Sequence, residues 1–155
     1  MIGYRDGVCI VVCRPRSSKV LVCHRADRPR REGWQFPQGG LHADEDVAEG
    51  ARRELREEIG TDRVVLVKIS ERPYCYEVPG GLRKAKRDYS GQCLRWVLAE
   101  MNIPESELRF DAGDAEFDDC EWVEPAEALR RIVGFKKRAY REAMCEMGLL
   151  AGNEH

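Results

Sequence analysis

Apolar runs of about the length of a strand recur along most of this chain. Residues 8–15 are almost continuously apolar and β-branched, which is the pattern of a strand buried on both faces. A turn at residues 16–19 leads to residues 20–24, the predicted hairpin partner of that strand. A short strand interrupted by Pro37 follows. Further extended segments are predicted at residues 63–70, 73–79, 92–101 and 120–124.

A helical pattern interrupts this series of strands near residue 50. It predicts a helix with Asp44 as its N-cap, running to about Ile59 and ending at Gly60. Farther on, residues 80–91 are glycine-rich and charged, and we interpret them as a polar loop.

The last part of the chain is predicted to be helical. Pro125 is placed to open one helix, and residues 135–150 have the amphipathic pattern of another. The complete order of segments indicates an α/β fold in which helices cover a mixed β-sheet. A length of 155 residues fits one domain over residues 1–155.

Composition and charge exclude several classes of protein. Charged residues make up 35% of the chain and the formal net charge is -2, so we expect neither a membrane partner nor a duplex DNA partner. Apolar runs are too short for a membrane span, and the N-terminal sequence is too polar for a signal peptide. We therefore expect a cytoplasmic protein, while its oligomeric state stays open.

The seven cysteines have neither the spacing of a zinc site nor a CxxC pair. Most lie in apolar, strand-like segments, where cysteine acts as a small hydrophobic residue. We expect reduced, structural thiols at Cys9, Cys13, Cys23, Cys75 and Cys93.

Charge is concentrated on the predicted internal helix, whose last turns read "ARRELREEIG". Residues three and four apart share a helix face, so Glu54, Glu57 and Glu58 point the same way and repel one another. One interpretation is a solvated face with salt bridges to the neighbouring arginines. The other is a site for a hard divalent cation such as Mg²⁺, which would relieve the repulsion and neutralise a polyphosphate substrate.

The spacing around these glutamates favours the second interpretation. Gly39, Glu45, Arg53, Gly60 and the three glutamates stand at the offsets of the Nudix box, which would cover residues 39–61. The chain therefore resembles the Nudix family of phosphoanhydride hydrolases. The resemblance implies an α/β/α sandwich with a mixed sheet.

The resemblance also implies roles within the box. Glu54, Glu57 and Glu58 would hold Mg²⁺ or Mn²⁺, together with the backbone carbonyl of Gln38. Gly39 and Gly40 would let the backbone turn tightly beneath the phosphates. A structural pair between Glu45 and Arg53 would brace the loop against the helix, and Gly60 would end the helix.

Motifs outside the box narrow the resemblance to one subgroup. They are "GYR", "WQFPQGG", "YEVP", "GQCLRW", "EFDDCEWV" and "GFKKRAYREAM". This set is similar to bacterial RNA pyrophosphohydrolases and to the closely related diadenosine polyphosphate hydrolases. The implied reaction is in-line attack by water on a phosphoanhydride of a nucleoside 5′-polyphosphate.

Five residues are expected to hold the nucleotide in this subgroup. Tyr76 and Phe135 would stack a base, while Lys136, Arg5 and Arg25 would approach phosphates. Each has an alternative interpretation. Tyr76 and Phe135 would be core residues, and the three cations would be solvated surface charges. Trp34 and Phe36 are expected to lie in the core.

Glu116 lies in an acidic loop before a strand, and the subgroup places a fourth metal ligand or a general base at the matching position. Glu57 and Glu116 are therefore both candidates for the base. Two other functions remain possible at this stage. One is an ADP-ribose or nucleoside-triphosphate pyrophosphatase, and the other is a catalytically silent Nudix-like nucleotide sensor.

Overall fold

The computed structural model describes residues 3–110 and 116–151 of the chain. Within them, an eight-stranded mixed sheet carries helices on its faces. The strands are β1 Tyr4–Cys13, β2 Val20–Arg25, β3 Trp34–Gln35, β4 Gln38–Gly40, β5 Val64–Ile69, β6 Tyr74–Lys84, β7 Arg87–Met101 and β8 Phe117–Val123. The helices are α1 Val47–Ile59, α2 Pro125–Arg131 and α3 Lys137–Glu146, with 3₁₀ turns at Glu105–Glu107 and Gly134–Lys136.

The apolar strand β1 lies at the centre of the sheet. It runs parallel to β7 from the Tyr4–Gly91 pair to the Cys13–Glu100 pair, and antiparallel to β2 and β4. The five residues from Val8 to Val12 are completely buried, because elements cover both faces of the strand. The sheet is mixed, as predicted.

Alternate side chains of β1 enter two separate cores. Cys9 and Val11 belong to a core on the α3 side, where the ring of Phe36 stacks on that of Tyr140 at 5.5 Å. Val8, Ile10 and Val12 belong to the core beneath α1. Helices therefore cover both faces, which confirms the α/β/α sandwich. Trp34 and Phe36 are buried, as predicted.

Helix α1 begins two residues later than predicted. Asp46, and not Asp44, is the N-cap, because its carboxylate accepts a hydrogen bond from the backbone N–H of Glu49 at 2.8 Å. Asp44 has a positive φ of 65° in the preceding loop. At the other end, Gly60 adopts the predicted left-handed C-cap conformation, with φ of 80°.

The polar loop predicted at residues 80–91 is wrong. Strands β6 and β7 continue through this segment as a hairpin, and Ala85 and Lys86 form a tight turn with positive φ at both residues. This part of the hairpin lies outside the apolar core. Its residues therefore lack the alternation of apolar and polar positions that identifies a half-buried strand.

The expectation of reduced thiols is wrong for one pair. Strand register places Cys75 directly opposite Cys93, with Cα atoms 4.0 Å apart, and the two are joined in a disulfide. Cys9, Cys13 and Cys23 are free thiols, and burial raises the pKa of each of them. Among the helices described, none is long and apolar enough to cross a membrane.

Candidate functional site

A cleft of about 950 Å³ brings the predicted metal and substrate residues together. Its walls come from the box helix α1, the short strand β4, the β6–β7 hairpin and the 3₁₀ turn before α3. The predicted residues that line it are Arg5, Arg25, Gln38, Gly39, Gly40, Arg53, Glu54, Glu57, Glu58, Tyr76, Glu116, Phe135 and Lys136. Glu45 and Gly60 are outside the lining, where they hold the loop and the end of the helix.

One wall of the cleft is acidic, and two of its carboxylates are buried. Glu54 and Glu58 are only 5% and 6% exposed, whereas the side chain of Glu57 is 55% exposed. Burial, followed by the neighbouring carboxylates of Glu116 and Glu54, raises the pKa of Glu58 to about 8. Burial also raises the pKa of Glu54, although Arg53 opposes that shift. The wall therefore combines desolvated carboxylates with mutual repulsion.

The donor atoms of this wall suit a hard divalent cation. Buried polar atoms normally have a hydrogen-bond partner, yet within the described ranges Oε2 of Glu58 has none. The loop carrying Glu116 approaches this carboxylate, and the Glu116 carbonyl is fixed by the N–H of Ala26 at 2.9 Å. In residues 3–110 and 116–151, no three acidic, histidine or cysteine side chains already form a closed metal site. The carboxylate donors fit Mg²⁺ chemically, and a cation would satisfy the unpaired oxygen.

Arg53 neutralises a different carboxylate from the one left unpaired. Its guanidinium donates to both oxygens of Glu45, at 2.8 and 2.9 Å, and to the carbonyl of Gly40 at 2.7 Å. The hydrogen bond from Arg53 lowers the pKa of Glu45 to about 2. A further bond reaches Glu54 at 2.7 Å. Arg53 thus ties the loop to the helix, and its donors are already occupied by protein groups.

Gly39 and Gly40 do not form the predicted tight turn. Both lie in strand β4 and pair with β1, opposite Val8 and Gly7. They matter because of the space they leave. A Cβ on Gly39 would come within 2.1 Å of the Glu54 carboxylate carbon, and one on Gly40 within 2.3 Å of the Arg5 guanidinium. The two glycines therefore let the Glu54 carboxylate and the Arg5 guanidinium approach the strand.

The backbone of β4 also directs the Gln38 carbonyl away from β1. Ile10 donates to the carbonyl of Pro37, so Gln38 occupies the next position, at which the carbonyl faces away from β1. The Gly40 carbonyl has the same orientation and is reached by Arg53 of α1. The Gln38 side chain is held separately, because it donates to Tyr76 and accepts from Tyr140, both at 3.2 Å.

The opposite wall is aromatic and basic. Tyr76 is 6% exposed and belongs to the core, but one face of it also lines the cleft, where its ring lies 5.9 Å from that of Phe135. Phe135 is 37% exposed. Lys136 is 7% exposed, and its ammonium group donates to Gln35 at 3.3 Å. Burial, followed by repulsion from Arg25, lowers the pKa of Lys136 to about 8. The alternative of a packed Phe135 and a solvated Lys136 is therefore wrong.

The two predicted arginines differ in their partners. Arg25 makes a two-pronged pair with Asp27, with distances of 3.1 and 2.8 Å. Arg5 lies against Gly40, and in the described part of the chain no carboxylate pairs with it. Arg5 therefore offers the cleft a charge that no described carboxylate neutralises.

A family comparison agrees with this geometry. The model of the NUDIX domain matches residues 3–144. The chain belongs to the Nudix family. An RNA pyrophosphohydrolase of Gluconacetobacter diazotrophicus is 38% identical to it over 132 residues, which are 79% of each chain. An RNA pyrophosphohydrolase of Xylella fastidiosa is 37% identical over 154 residues, 96% of this chain and 79% of that one.

The Nudix fold is also found in solved structures. The dihydroneopterin triphosphate pyrophosphohydrolase of E. coli superimposes with a TM-score of 0.66, covering 90% of this chain and 96% of that one, at 18% identity. That identity shows a shared fold alone. The family match and the relatives make this protein a Nudix hydrolase, an enzyme class that acts on acid anhydrides and generally uses divalent cations.

Sequence reasoning missed several residues of the Nudix cleft. Gln35 and Gln92 are buried and line it, and both stand inside motifs quoted above. Buried polar side chains in short strands were the available signal, since such groups need partners. Arg28 and Lys84 also line the cleft. Lys84 was not considered, because its segment was wrongly interpreted as a loop.

Proposed function

We propose that this protein is a divalent-cation-dependent pyrophosphohydrolase whose substrate is the 5′ end of RNA. The observation that carries the proposal is a buried oxygen of Glu58 that has no partner in the part of the chain described, in an acidic wall that faces Phe135 and Lys136 across one cleft. Such a cleft offers a cation to a polyphosphate and an aromatic surface to a base. The relatives named RNA pyrophosphohydrolase support RNA as the substrate. The predicted cytoplasmic location belongs to this proposal.

Glu54, Glu57, Glu58 and Glu116, with the Gln38 carbonyl, would hold Mg²⁺ or Mn²⁺. All these donors are oxygen atoms, the ligands that these cations prefer. When bound, such a cation neutralises phosphate oxygens and makes water more acidic. The lack of a side chain at Gly39 lets the Glu54 carboxylate lie against β4, beside the residue that follows Gln38.

The reaction needs one proton acceptor on the acidic wall. Water attacks phosphorus in line with the bridging oxygen, a new P–O bond forms, the bridging P–O bond breaks, and the water gives up a proton. Glu57 and Glu116 are exposed at the cleft, so either carboxylate oxygen has access to that water. Glu54 and Glu58 are buried and serve as ligands.

The aromatic and basic wall would bind the nucleotide. Phe135 presents an exposed ring to a base, and Tyr76 supports that ring from the core. Lys136 and Arg5 supply positive charge to phosphates, and Arg25 does so while paired with Asp27. These groups position the substrate while the acidic wall carries out the chemistry.

The dinucleoside polyphosphates are the second candidate substrate, because the same cleft would take a base and a bridging polyphosphate. A pyrophosphatase for ADP-ribose or nucleoside triphosphates is less well supported, since the relatives that match most of the chain carry another name. A silent sensor is disfavoured because Glu54, Glu57 and Glu58 are all present.

The test is hydrolysis of 5′-triphosphorylated RNA beside diadenosine tetraphosphate, with Mg²⁺ and after exhaustive chelation. We expect release of phosphate or pyrophosphate from the RNA, and loss of all activity on chelation. Full activity without a divalent cation would contradict the metal site. Hydrolysis of diadenosine tetraphosphate alone would assign the second substrate.

Binding of the cation can be followed without activity. Mg²⁺ should raise the melting temperature, since a ligand that binds only the folded state stabilises it. The double variant Glu54→Gln, Glu58→Gln should lose this increase. Retention of the full increase in that variant would show that the cation binds elsewhere.

A further inference from the structure

The end of the β6–β7 hairpin projects beyond the core and forms part of the cleft. We call residues 82–89 the hairpin arm. Its cross-strand pairs are Leu82 with Tyr89, Arg83 with Asp88, and Lys84 with Arg87. Leu82 and Lys84 line the cleft that holds the glutamates of α1. The arm is thus a wall of the site rather than a separate appendage.

Strand geometry assigns each pair to one face of the arm. Directly opposed residues point to the same face, and successive pairs alternate between faces. Since Lys84 lines the cleft, its partner Arg87 also points to the cleft side. The guanidinium of Arg87 lies 5.5 Å from the centre of the Tyr89 ring, as expected for neighbours on one face. Arg83 and Asp88 occupy the outer face.

The two faces differ in charge. On the outer face, Arg83 and Asp88 neutralise each other in a salt bridge of 2.8 Å. On the cleft face, Lys84 and Arg87 are exposed, and in the ranges 3–110 and 116–151 no carboxylate forms a salt bridge with either. Like charges directly opposite each other on two strands destabilise the pairing. An anion bound between them would remove that repulsion.

The distance along β7 indicates where such an anion would lie. Gln92 pairs with Tyr76 at the nucleotide end, and Arg87 is five residues away, which is about 17 Å in a strand. The proposed function places the phosphates of the terminal nucleoside near the acidic wall, and an anion about 17 Å along β7 from Gln92 is then a second group of the substrate. An RNA chain supplies such groups at every phosphodiester. A dinucleoside polyphosphate carries all its charge in the bridge between its nucleosides.

We propose that Lys84 and Arg87, on the cleft face of the hairpin arm, bind the phosphodiester backbone of RNA beyond its 5′-terminal nucleotides. This inference rests on the proposed function, because it takes RNA as the substrate of the cleft. It adds a second anchoring point that distinguishes an RNA chain from a small nucleotide. Selection of longer RNA would then follow from the charge of the arm and not from the reaction itself.

The test compares the double variant Lys84→Gln, Arg87→Gln with the control Arg83→Gln on the outer face of the same arm. Affinity for a 3′-labelled, 5′-triphosphorylated RNA of about 12 nucleotides is measured by fluorescence anisotropy, without divalent cation and across salt concentrations. We expect roughly a tenfold loss of affinity in the double variant. The slope of log affinity against log salt should decrease by about 1.4, at about 0.7 for each phosphate contact with a single strand.

Two comparisons make the result specific. A triphosphorylated dinucleotide should bind the double variant as it binds the unchanged protein, and Arg87→Lys should retain affinity for the long RNA. Arg83→Gln should bind as the unchanged protein does. The inference is overturned if the long RNA binds the double variant with unchanged affinity and salt slope. It is also overturned if Arg83→Gln causes the same loss, or if the dinucleotide loses as much as the long RNA.

Failure of the proposed function has a different signature. If the unchanged protein binds the long RNA through the arm but never hydrolyses it, the proposed function is wrong and the arm remains a binding site. If it hydrolyses RNA of both lengths while the double variant binds normally, only the inference about the arm is wrong. Melting temperatures of all variants identify any loss caused by unfolding, and Arg87→Gln alone then replaces the double variant.

Discussion

The two walls of the cleft bury charges of opposite sign to nearly the same degree. Glu58 is 6% exposed and Lys136 is 7% exposed. Burial displaces their pKa values in opposite directions, up to about 8 for the acid and down to about 8 for the base. Among the residues described, no salt bridge joins the two walls. The fold therefore keeps two buried ionisable groups of opposite type on separate walls of the cleft.

The difference between the walls lies in what each still lacks. Lys136 already donates to Gln35, whereas one carboxylate oxygen of Glu58 has no partner among the described residues. Arg53, on the same helix as Glu58, is committed to Glu45 and the Gly40 carbonyl. In the proposed function a cation would complete the acidic wall, whereas the basic wall is already formed and would bind an anion.

The largest expected effect comes from removing a charge on the acidic wall. Glu57→Gln should lower kcat by at least about 10²-fold, as does the loss of one main electrostatic contributor in other enzymes. Because the Glu57 side chain is 55% exposed, the melting temperature of the variant should stay close to that of the unchanged protein. Steady-state kinetics with a melting curve on the same preparation check both statements.

Glu49→Gln is the matched control for this change, since Glu49 is an exposed glutamate in the first turn of the same helix. It removes an equal charge outside the cleft and should leave kcat unchanged. A near-normal rate in Glu57→Gln, or an equal loss in Glu49→Gln, would contradict the role of the acidic wall. Comparing Glu57→Gln with Glu116→Gln at high Mn²⁺ separates the two base candidates. Added cation should rescue a ligand variant but not the base variant.

The aromatic part of the basic wall should give the next largest effect. Phe135→Ala removes an exposed ring that would stack a base, a contact of about 1–3 kcal/mol, and KM should rise while kcat falls less. Tyr76→Ala is expected to differ. Tyr76 is buried in the core, so its truncation should lower the melting temperature as well.

Tyr76→Phe serves as the control for the two alanine variants. It keeps the ring and removes only the hydroxyl that accepts a hydrogen bond from Gln38. It should retain KM. An unchanged KM in Phe135→Ala, with a clear loss of stability, would make Phe135 a packing residue and remove the base from this wall.

The acidic wall was far more predictable from sequence than the basic wall. Glu54, Glu57 and Glu58 occupy one helix, where spacing alone fixes their common face. Tyr76, Gln92 and Lys136 come from separate elements, and only the pairing of β6 with β7 and the packing of the turn before α3 bring them together. No pattern in the residues around Lys136 indicated that its side chain would be buried.

The secondary structure shows the same contrast between local patterns, which were predictable, and tertiary contacts, which were not. Apolar runs predicted β1, β2 and β5, and helix caps predicted the end of α1 at Gly60. Errors occurred where tertiary contacts decide. The hairpin arm carries few apolar residues, and the Cys75–Cys93 pair depends on strand register. Asp44 and Asp46 are both suitable N-caps by residue type, so the start of the helix depends on the geometry of the preceding loop.

Lys136 should produce a smaller and pH-dependent effect. Lys136→Met should raise KM roughly tenfold, because a charge-assisted contact with phosphate is lost, and the difference should shrink at high salt. With a pKa of about 8, the lysine is charged below pH 8 and neutral above it. KM of the unchanged protein should therefore rise as the pH increases through 8, beyond any change in the variant. Parallel pH profiles of KM would contradict this role. The groups that contact Lys136 or influence its pKa are Gln35, Tyr76, Phe135, Arg25, Arg28, Cys9 and Glu116.

The smallest effect should come from His24, a buried titratable group that, unlike Glu58 and Lys136, has a partner of opposite charge within the described residues. Its ring nitrogens lie 2.7 Å from Asp118 Oδ1 and 3.0 Å from the Pro29 carbonyl. Both partners accept hydrogen bonds, so only the doubly protonated ring satisfies both. Burial alone would lower its pKa, but the bonds with Pro29 and Asp118 outweigh that effect and raise it.

A raised pKa in the folded state means that His24 stabilises the protein fully below its unfolded pKa of about 6.5, and that this stabilisation is lost as the pH rises through the folded value. The free energy of unfolding of the unchanged protein should therefore exceed that of His24→Gln most at acidic pH, and the gap should narrow toward alkaline pH. Denaturant unfolding at a series of pH values measures the gap, with His42→Gln as the control, because His42 is exposed. A gap that is constant with pH, or equal in the control, would show that His24 contributes through packing alone.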